Sequence, residues 1–324
     1  MARHWIVTLI AALLLIGPAS AESWPTHPVI MVVPFAAGGP TDVVGRIVAQ
    51  RLSEILGQQV VVEDVGGAGG MTGAQRVAQA RPDGYQVLLG TVGTHAYNQT
   101  LYKHPLYSAT RDFRPVILIA EQPLVLITRK DFPANSLQEF AAYLRNNASK
   151  LTFGSGGAGS ATHLGCVLLN SAIGVSVEHV PYRGSAPALE DLAAGRIDYL
   201  CDAVSSSLPQ IQAHAVKPLA LLARNRSPVL PYVPTAAEQG FTGFEANNWI
   251  GLFLPAHSPD EVVRRLHDAT VEAMKTPAMQ ARLQAIGTDL VAPERTSSEY
   301  FKNFVASEIE KWSTPIKASG LSID

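Results

Sequence analysis

Two glycine-rich turns hold the residues best placed to do chemistry in this sequence. The first, Pro34-Phe35-Ala36-Ala37-Gly38-Gly39-Pro40-Thr41-Asp42, follows the apolar run Val29 to Val33 and precedes a helical pattern. Gly38 and Gly39 open backbone angles closed to other residues, and Pro40 suits the first helical position, where its missing N–H costs nothing. Free N–H groups and the positive end of the helix dipole then face whatever lies in front, which is the layout of an anion cradle. A tight connection with no ligand is an equally open reading of this turn alone. The second turn, Gly154-Ser155-Gly156-Gly157-Ala158-Gly159-Ser160, again joins a strand to a helix, and its N–H groups and the Ser155 and Ser160 hydroxyls suit a carboxylate.

Other chemistries compete for the same residues. Gly154 to Gly159 matches G-x-G-x-x-G, and Glu178 falls about 20 residues on, where a ribose-binding acid would stand. Export, argued below, leaves no evident route for recycling a dinucleotide, so that reading is set aside. No G-x-S-x-G elbow is present for nucleophilic hydrolysis. His95 and His163 serve either a cleft wall or local structure. Asp42 and Asp202 suggest an acid/base pair, but a carboxylate in a first helical turn also complements the dipole. Tyr182 and Arg183 before Gly184 suit an anion, while Arg183 is equally a solvated charge. Cys166 and Cys201 have neither C-x-x-C nor Cys/His spacing; a disulfide and two buried thiols both stay open, because sequence does not supply a Cα separation.

The elements that must position these turns alternate. Val29–Val33 is a strand, Val43 to Leu56 a helix closed by Gly57, Val60–Val62 a strand, Thr72 to Ala80 a helix, and Tyr85–Leu89 a strand ending in Gly90 to His95. Strands with helical crossovers imply a parallel sheet whose carboxyl edge gathers the loops and any ligand. A second unit repeats the grammar: a strand at Leu124–Thr128, a helix capped by Ser136, strands near Leu151–Phe153 and Val175–Val180, a helix from Ala186, a strand at Ile197–Cys201, and a polar turn from Asp202 to Ser207. Trp249–Leu254 is a further strand, with Trp249 read as a hinge or core aromatic. Helices near Ser258, Thr276 and Ser297 follow and fold back on the first unit. The fold class is therefore α/β, two lobes with a cleft between them.

Met1 to His4 carry a positive charge, an apolar run spans Trp5 to Ile16, and Ala19-Ser20-Ala21 is a small-x-small site. This predicts a cleaved secretory signal at 1–21, because the run is shorter than the ~20 residues of a membrane span. A formal net charge of −2 without basic blocks leaves no footprint for nucleic acid. The length exceeds one comfortable core, so the expected division is 22–122 with 244–324 as one domain and 123–243 as the other.

The first turn joined to Gly66-Gly67-Ala68-Gly69-Gly70 resembles the substrate-binding receptors of tripartite tricarboxylate transporters, the Bug family. The likeness continues through Arg81-Pro82-Asp83-Gly84-Tyr85, Gly154 to Ser160 with His163, Val180 to Leu189, Asp191-Leu192 with Gly195, and Pro231 to Thr235, and so covers nearly all the mature chain. It implies a type II periplasmic binding protein, monomeric and without cofactor, metal or catalysis. Such a protein closes on a small organic carboxylate, chiefly a dicarboxylate, and passes it to a membrane permease. By the same resemblance, Phe35, Ala37, Gly38, Gly39, Thr41, Asp42, Thr91, Thr94 and His95 form one side of the cleft. Ser155, Gly156, Gly159, Ser160, His163, Tyr182, Ser185 and Asp202 form the other. Asp42 is expected to orient a water or stiffen its turn, and Thr91 to His95 departs from relatives that carry more serine there. A ligand-binding sensor and a secreted α/β enzyme are the alternatives.

Overall fold

The computed structural model describes residues 24–324; the expected signal peptide at 1–21 lies outside them. Strand β1 (Val29–Val33) pairs in parallel with β2 (Val60–Asp64) on one side and β3 (Gln86–Thr91) on the other. Helix α1 (Pro40–Leu56) and helix α2 (Met71–Ala78) make the crossovers. Gly57 ends α1 in the left-handed conformation, returning its N–H to the Ser53 carbonyl, a cap that costs glycine no Cβ strain. All the turns that follow these strands lie at one edge of the sheet.

After the short helix α3 (Asn98–Leu101), strand β4 runs unbroken from Phe113 to Arg129. The sequence pattern predicts only Leu124–Thr128. Pro115 and Pro123 disguise the earlier half, and the pairing with β9 (Asn247–Pro255) shifts register on either side of Ile117 and Leu118, irregularities that accommodate a proline lacking its N–H. The first half of β4 pairs with β9, from Phe113↔Pro255 to Pro123↔Asn247. Its second half pairs with β7 (Tyr199–Ala203) and β8 (Val216–Leu221). One strand thus belongs to both sheets, and its crossing point at Gln122 and Pro123 faces Asn248 and Asn247.

The second sheet is completed by β5 (Thr152–Ser155), parallel to both β6 (Glu178–Pro181) and β7. Helices α4 (Leu137–Asn147), α5 (Ala161–Ile173), α6 (Ser185–Ala193) and α7 (Val204–Gln212) flank it. Ser136 caps α4 by accepting the Glu139 N–H, an interaction of about 1 kcal/mol. The expected polar turn at Asp202–Ser207 is instead helical: β7 ends at Ala203 and α7 begins at Val204, so Ser205 to Ser207 occupy its first turn, where hydroxyls serve as local acceptors and donors.

Helices α8 (Asp260–Lys275), α9 (Pro277–Ala285) and α10 (Ser298–Ala318) follow β9, with the two-residue strand β10 (Asp289–Leu290) against β4. They return to the first sheet: Phe301, Val305 and Ile316 share one buried core with Val32, Leu88, Leu118 and Phe253. Trp249 is buried in that core, edge-on to Phe301 at 5.7 Å, with its indole N–H on Glu308 at 3.1 Å. Two further cores sandwich the second sheet, one around Phe140, Phe153 and Leu169, the other around Leu189, Leu200 and Leu208. Among the described residues no helix is long and apolar enough to cross a membrane.

Candidate functional site

Four helices begin at one place. Pro40 and Thr41 of α1, Ala161 and Thr162 of α5, Ser185 of α6, and Ala203 just before α7 all line a single cavity between the two sheets. The first amides of each helix have no intrahelical acceptor, and each start carries roughly half a positive charge from the aligned peptides. No side chain lining the cavity is ionisable: Phe35, Thr91, Leu124, Gly156, Ser160 and Asn248 complete the wall. About 20 Å³ of the cavity admits the centre of a water-sized sphere. Water needs about 10–15 Å³ by that measure, so the walls are drawn together.

Hydrogen bonds between the walls draw them together. The Ala36 N–H donates to the Arg183 carbonyl at 3.1 Å, and the Tyr102 hydroxyl donates to the Ala158 carbonyl at 3.1 Å. Glycines permit this approach. A Cβ at Gly66 would lie 2.6 Å from the Arg183 oxygen, and one at Gly93 would lie 2.8 Å from the Gly159 oxygen.

The first turn is held from behind. Asp42, buried, accepts the Gly38 N–H at 2.8 Å through Oδ2, and its Oδ1 pairs with Arg46 Nε at 2.8 Å. Gly38 takes φ +78°, which allows the chain to fold back to that carboxylate. Arg46 also bonds Asp64 at 3.0 Å. Burial, then the nearby Asp42 carboxylate, pushes the Asp64 carboxyl up to about 6. Asp42 thus stiffens the turn whose last residues, Pro40 and Thr41, line the cavity.

Of the residues that sequence reasoning assigns to the cleft, Phe35, Thr41, Thr91, Gly156, Ser160 and Ser185 line the cavity. Ala37, Gly38, Gly39 and Gly159 shape its turns without lining it. A Cβ at Gly39 would lie 3.7 Å from Ser185 N, so that glycine sits against the start of α6. The others support from further back. Thr94 accepts the Thr91 N–H at 2.9 Å and contacts His95 Nδ1 at 2.9 Å. His95 is a core residue, stacked on Phe253 at 3.6 Å, and burial lowers its pKa to about 3. The expected turn at Thr91 to His95 divides: Thr91 ends β3, and Gly93–Tyr97 form a helical turn that carries the His95 ring inward.

Ser155 is likewise committed elsewhere: its Oγ lies 2.7 Å from His179 Nε2 and accepts the Gly157 N–H at 3.0 Å. A serine–histidine contact is the signature of an activated nucleophile, but Ser155 is fully buried and does not line the cavity. His163 accepts the Gly159 N–H through Nδ1 at 3.2 Å, which leaves the proton on Nε2, and it lies against His179 at 4.1 Å. Burial, then His179, lowers its pKa to about 3. Tyr182 turns outward to donate to Asp191 at 2.6 Å. Asp202, fully buried, accepts from Ser206 at 2.6 Å and Ser207 at 2.9 Å, and burial raises its pKa against the pull of those hydroxyls. Histidines and aspartates resemble ligand groups in a sequence because nothing in their spacing reveals burial behind a turn.

Six lining residues stand outside the sequence assignment, Pro40, Leu124, Ala161, Thr162, Ala203 and Asn248, and two of them have polar side chains. Thr162 fixes the second turn by accepting the Gly156 N–H at 2.8 Å. Asn248, in the middle of β9, lacks any turn motif that would have marked it. Cys166 and Cys201, behind the second turn, are joined in a disulfide with Cα atoms 5.4 Å apart, which resolves the alternative left open above.

The chain matches a family described as "Tripartite tricarboxylate transporter family receptor" over residues 44–321. The solved structure of the periplasmic binding protein BugD is 38% identical, with TM-score 0.89, and the match covers 92% of this chain and 99% of BugD. MatC from Rhodopseudomonas palustris, solved with bound malate, is 37% identical with TM-score 0.88, the match covering 90% of this chain and 100% of MatC. Rpa4515 from R. palustris, solved with adipate, is 35% identical with TM-score 0.88, over 93% and 99% of the two chains.

Proposed function

The chain belongs to the tripartite tricarboxylate transporter receptor family, and from that premise we propose that it captures a small aliphatic carboxylate, chiefly a dicarboxylate, by closure of its lobes. The observation that carries this reading is the convergence of four helix starts on a cavity without an ionisable side chain. A carboxylate there is held by amides and hydroxyls already in place, so its charge is stabilised without a cation. A neutral ligand gains little from the same dipoles.

Contacts from both lobes are made together only when the lobes are closed, so the ligand's differential affinity for that form shifts the open–closed balance. We assign Phe35, Thr41 and Thr91 to one jaw and Gly156, Ser160 and Ser185 to the other, with Asp42, Thr94, Ser155, His163 and Asp202 as their supports. The grouping of buried cores supports lobes of 22–122 with 244–324, and 123–243. The mature protein works in the periplasm after loss of residues 1–21, as a monomer that delivers its ligand to the membrane permease of its transporter. The Cys166–Cys201 disulfide suits such an oxidising compartment.

Calorimetric titration of the mature protein against aliphatic, aromatic and amino-substituted carboxylates tests the proposal. Saturable binding of short aliphatic dicarboxylates is expected, and no binding across the panel by folded protein would refute it. Loss of uptake of the bound acid on deletion of the gene, restored by the intact chain, tests the delivery step.

A further inference from the structure

We propose that Asn248 reads a hydroxyl group on the ligand, which makes the preferred class a hydroxy-substituted aliphatic dicarboxylate; this rests on the carboxylate reading above. Asn248 is 3% exposed and lines the cavity, yet its Oδ1 has no hydrogen-bond partner among the described residues. A buried acceptor left unpaired is costly, so a site that carries one favours a ligand able to donate to it.

The orientation of that amide is locked by its neighbours. Gln122 Nε2 lies 3.4 Å from the Pro40 carbonyl, which accepts only, and 2.7 Å from Ser205 Oγ. Gln122 must therefore present Oε1 to Asn248, and Asn248 Nδ2 donates to it at 3.0 Å. Reversing Asn248 would set two oxygens against each other. Its Oδ1 is thus fixed as the free atom. The pair also faces across the crossing of β4 and β9, where Gln122 and Asn248 are register partners. The hydroxyl is read at the floor of the cleft, while the carboxylates meet the helix starts of the walls.

A ligand ammonium would donate equally well to Oδ1, but no carboxylate lines the cavity to balance its charge. Asp42 and Asp202, the acids behind the turns, stand outside the lining: Asp42 is held by Gly38 and Arg46, and Asp202 takes Ser206 and Ser207 on its Oδ2. A hydroxyl needs no countercharge, and that separates the two donors.

Malate, succinate and aspartate share one carbon skeleton and carry a hydroxyl, a hydrogen and an ammonium at the same carbon. Calorimetry of the wild-type protein is expected to give malate at least about tenfold tighter binding than succinate, with aspartate weaker than malate. In Asn248→Ala the malate affinity should fall to that of succinate, with succinate changed by less than about threefold. Equal affinities for malate and succinate in the wild type, a preference that survives in Asn248→Ala, or tightest binding of aspartate would each overturn the inference while leaving the carboxylate reading intact. Failure of all three to bind while other dicarboxylates do would also overturn it alone, whereas failure of every carboxylate would remove both. The wild-type comparison decides the matter even where the variant does not fold.

Discussion

Gly93→Ala isolates closure from folding. Gly93 opens a helical turn, Gly93–Tyr97, and does not have a positive φ, so alanine fits its local conformation. The added methyl meets the opposite wall instead: its carbon would lie 2.8 Å from the Gly159 carbonyl oxygen, 3.2 Å from Ser160 Cα and 3.4 Å from Ala161 N. Those atoms belong to the second turn and the start of α5, and a backbone carbonyl has little freedom to retreat. Overpacking a close contact costs about 1–3 kcal/mol, and here that cost falls only on the form in which the walls touch. Affinity for a dicarboxylate should therefore drop about five- to 150-fold, while the ligand-free protein should melt no lower than wild type, since alanine replaces glycine in a helical turn. Calorimetry gives the first quantity and scanning calorimetry without ligand the second. Unchanged affinity, or a melting loss that accounts for the weaker binding, would refute the account.

Three further outcomes follow from the supports of the cavity. Asp42→Ala removes the acceptor of the Gly38 N–H and a partner of Arg46; denaturant melts should show a loss of about 1–3 kcal/mol, and Asp42→Asn, which keeps an acceptor, should lose less. Removing the disulfide with Cys166→Ala and Cys201→Ala releases a loop of 35 residues and should cost about 3–4 kcal/mol on the chain-entropy account; an identical melt with and without reductant would contradict this. His95 and His163 are held neutral down to about 3, whereas an unfolded histidine titrates near 6.5. Between those values only the unfolded chain gains these protons, so stability falls as pH falls, by up to about 1.4 kcal/mol per pH unit for each ring. Imidazole NMR shifts still neutral at pH 5 would support this, and titration of both rings near 6.5 would refute it. Asp64, with its carboxyl pushed up to about 6, acts in the opposite direction and softens the slope.

Much of this architecture is legible in the sequence where local rules and burial agree. Val29 to Val33 is a strand by run length and β-branched content, Gly57 stops α1 because its left-handed turn favours glycine, and Ser136 marks the start of α4 by capping. The strand shared by the two sheets is not legible in the same way. β4 contains two prolines and reads as two segments, and only its long-range partners β9, β7 and β8 make it one strand. The same limit applies to the cavity. Thr41, Ser160 and Ser185 stand at helix starts, which a sequence reveals, whereas His95 and Ser155 look like ligand groups until packing turns them to Phe253 and His179. Asn248 is the converse case: it owes its place to the crossing of two strands distant in sequence.

The central claim is that helix starts alone balance the ligand's charge. Its most direct test is a calorimetric comparison, at neutral pH, of the best-bound dicarboxylate with its diamide, which keeps the shape and one acceptor oxygen at each end but not the charge. The account predicts saturable binding of the acid and a loss of at least about a hundredfold for the diamide. Equal binding of the two would contradict it.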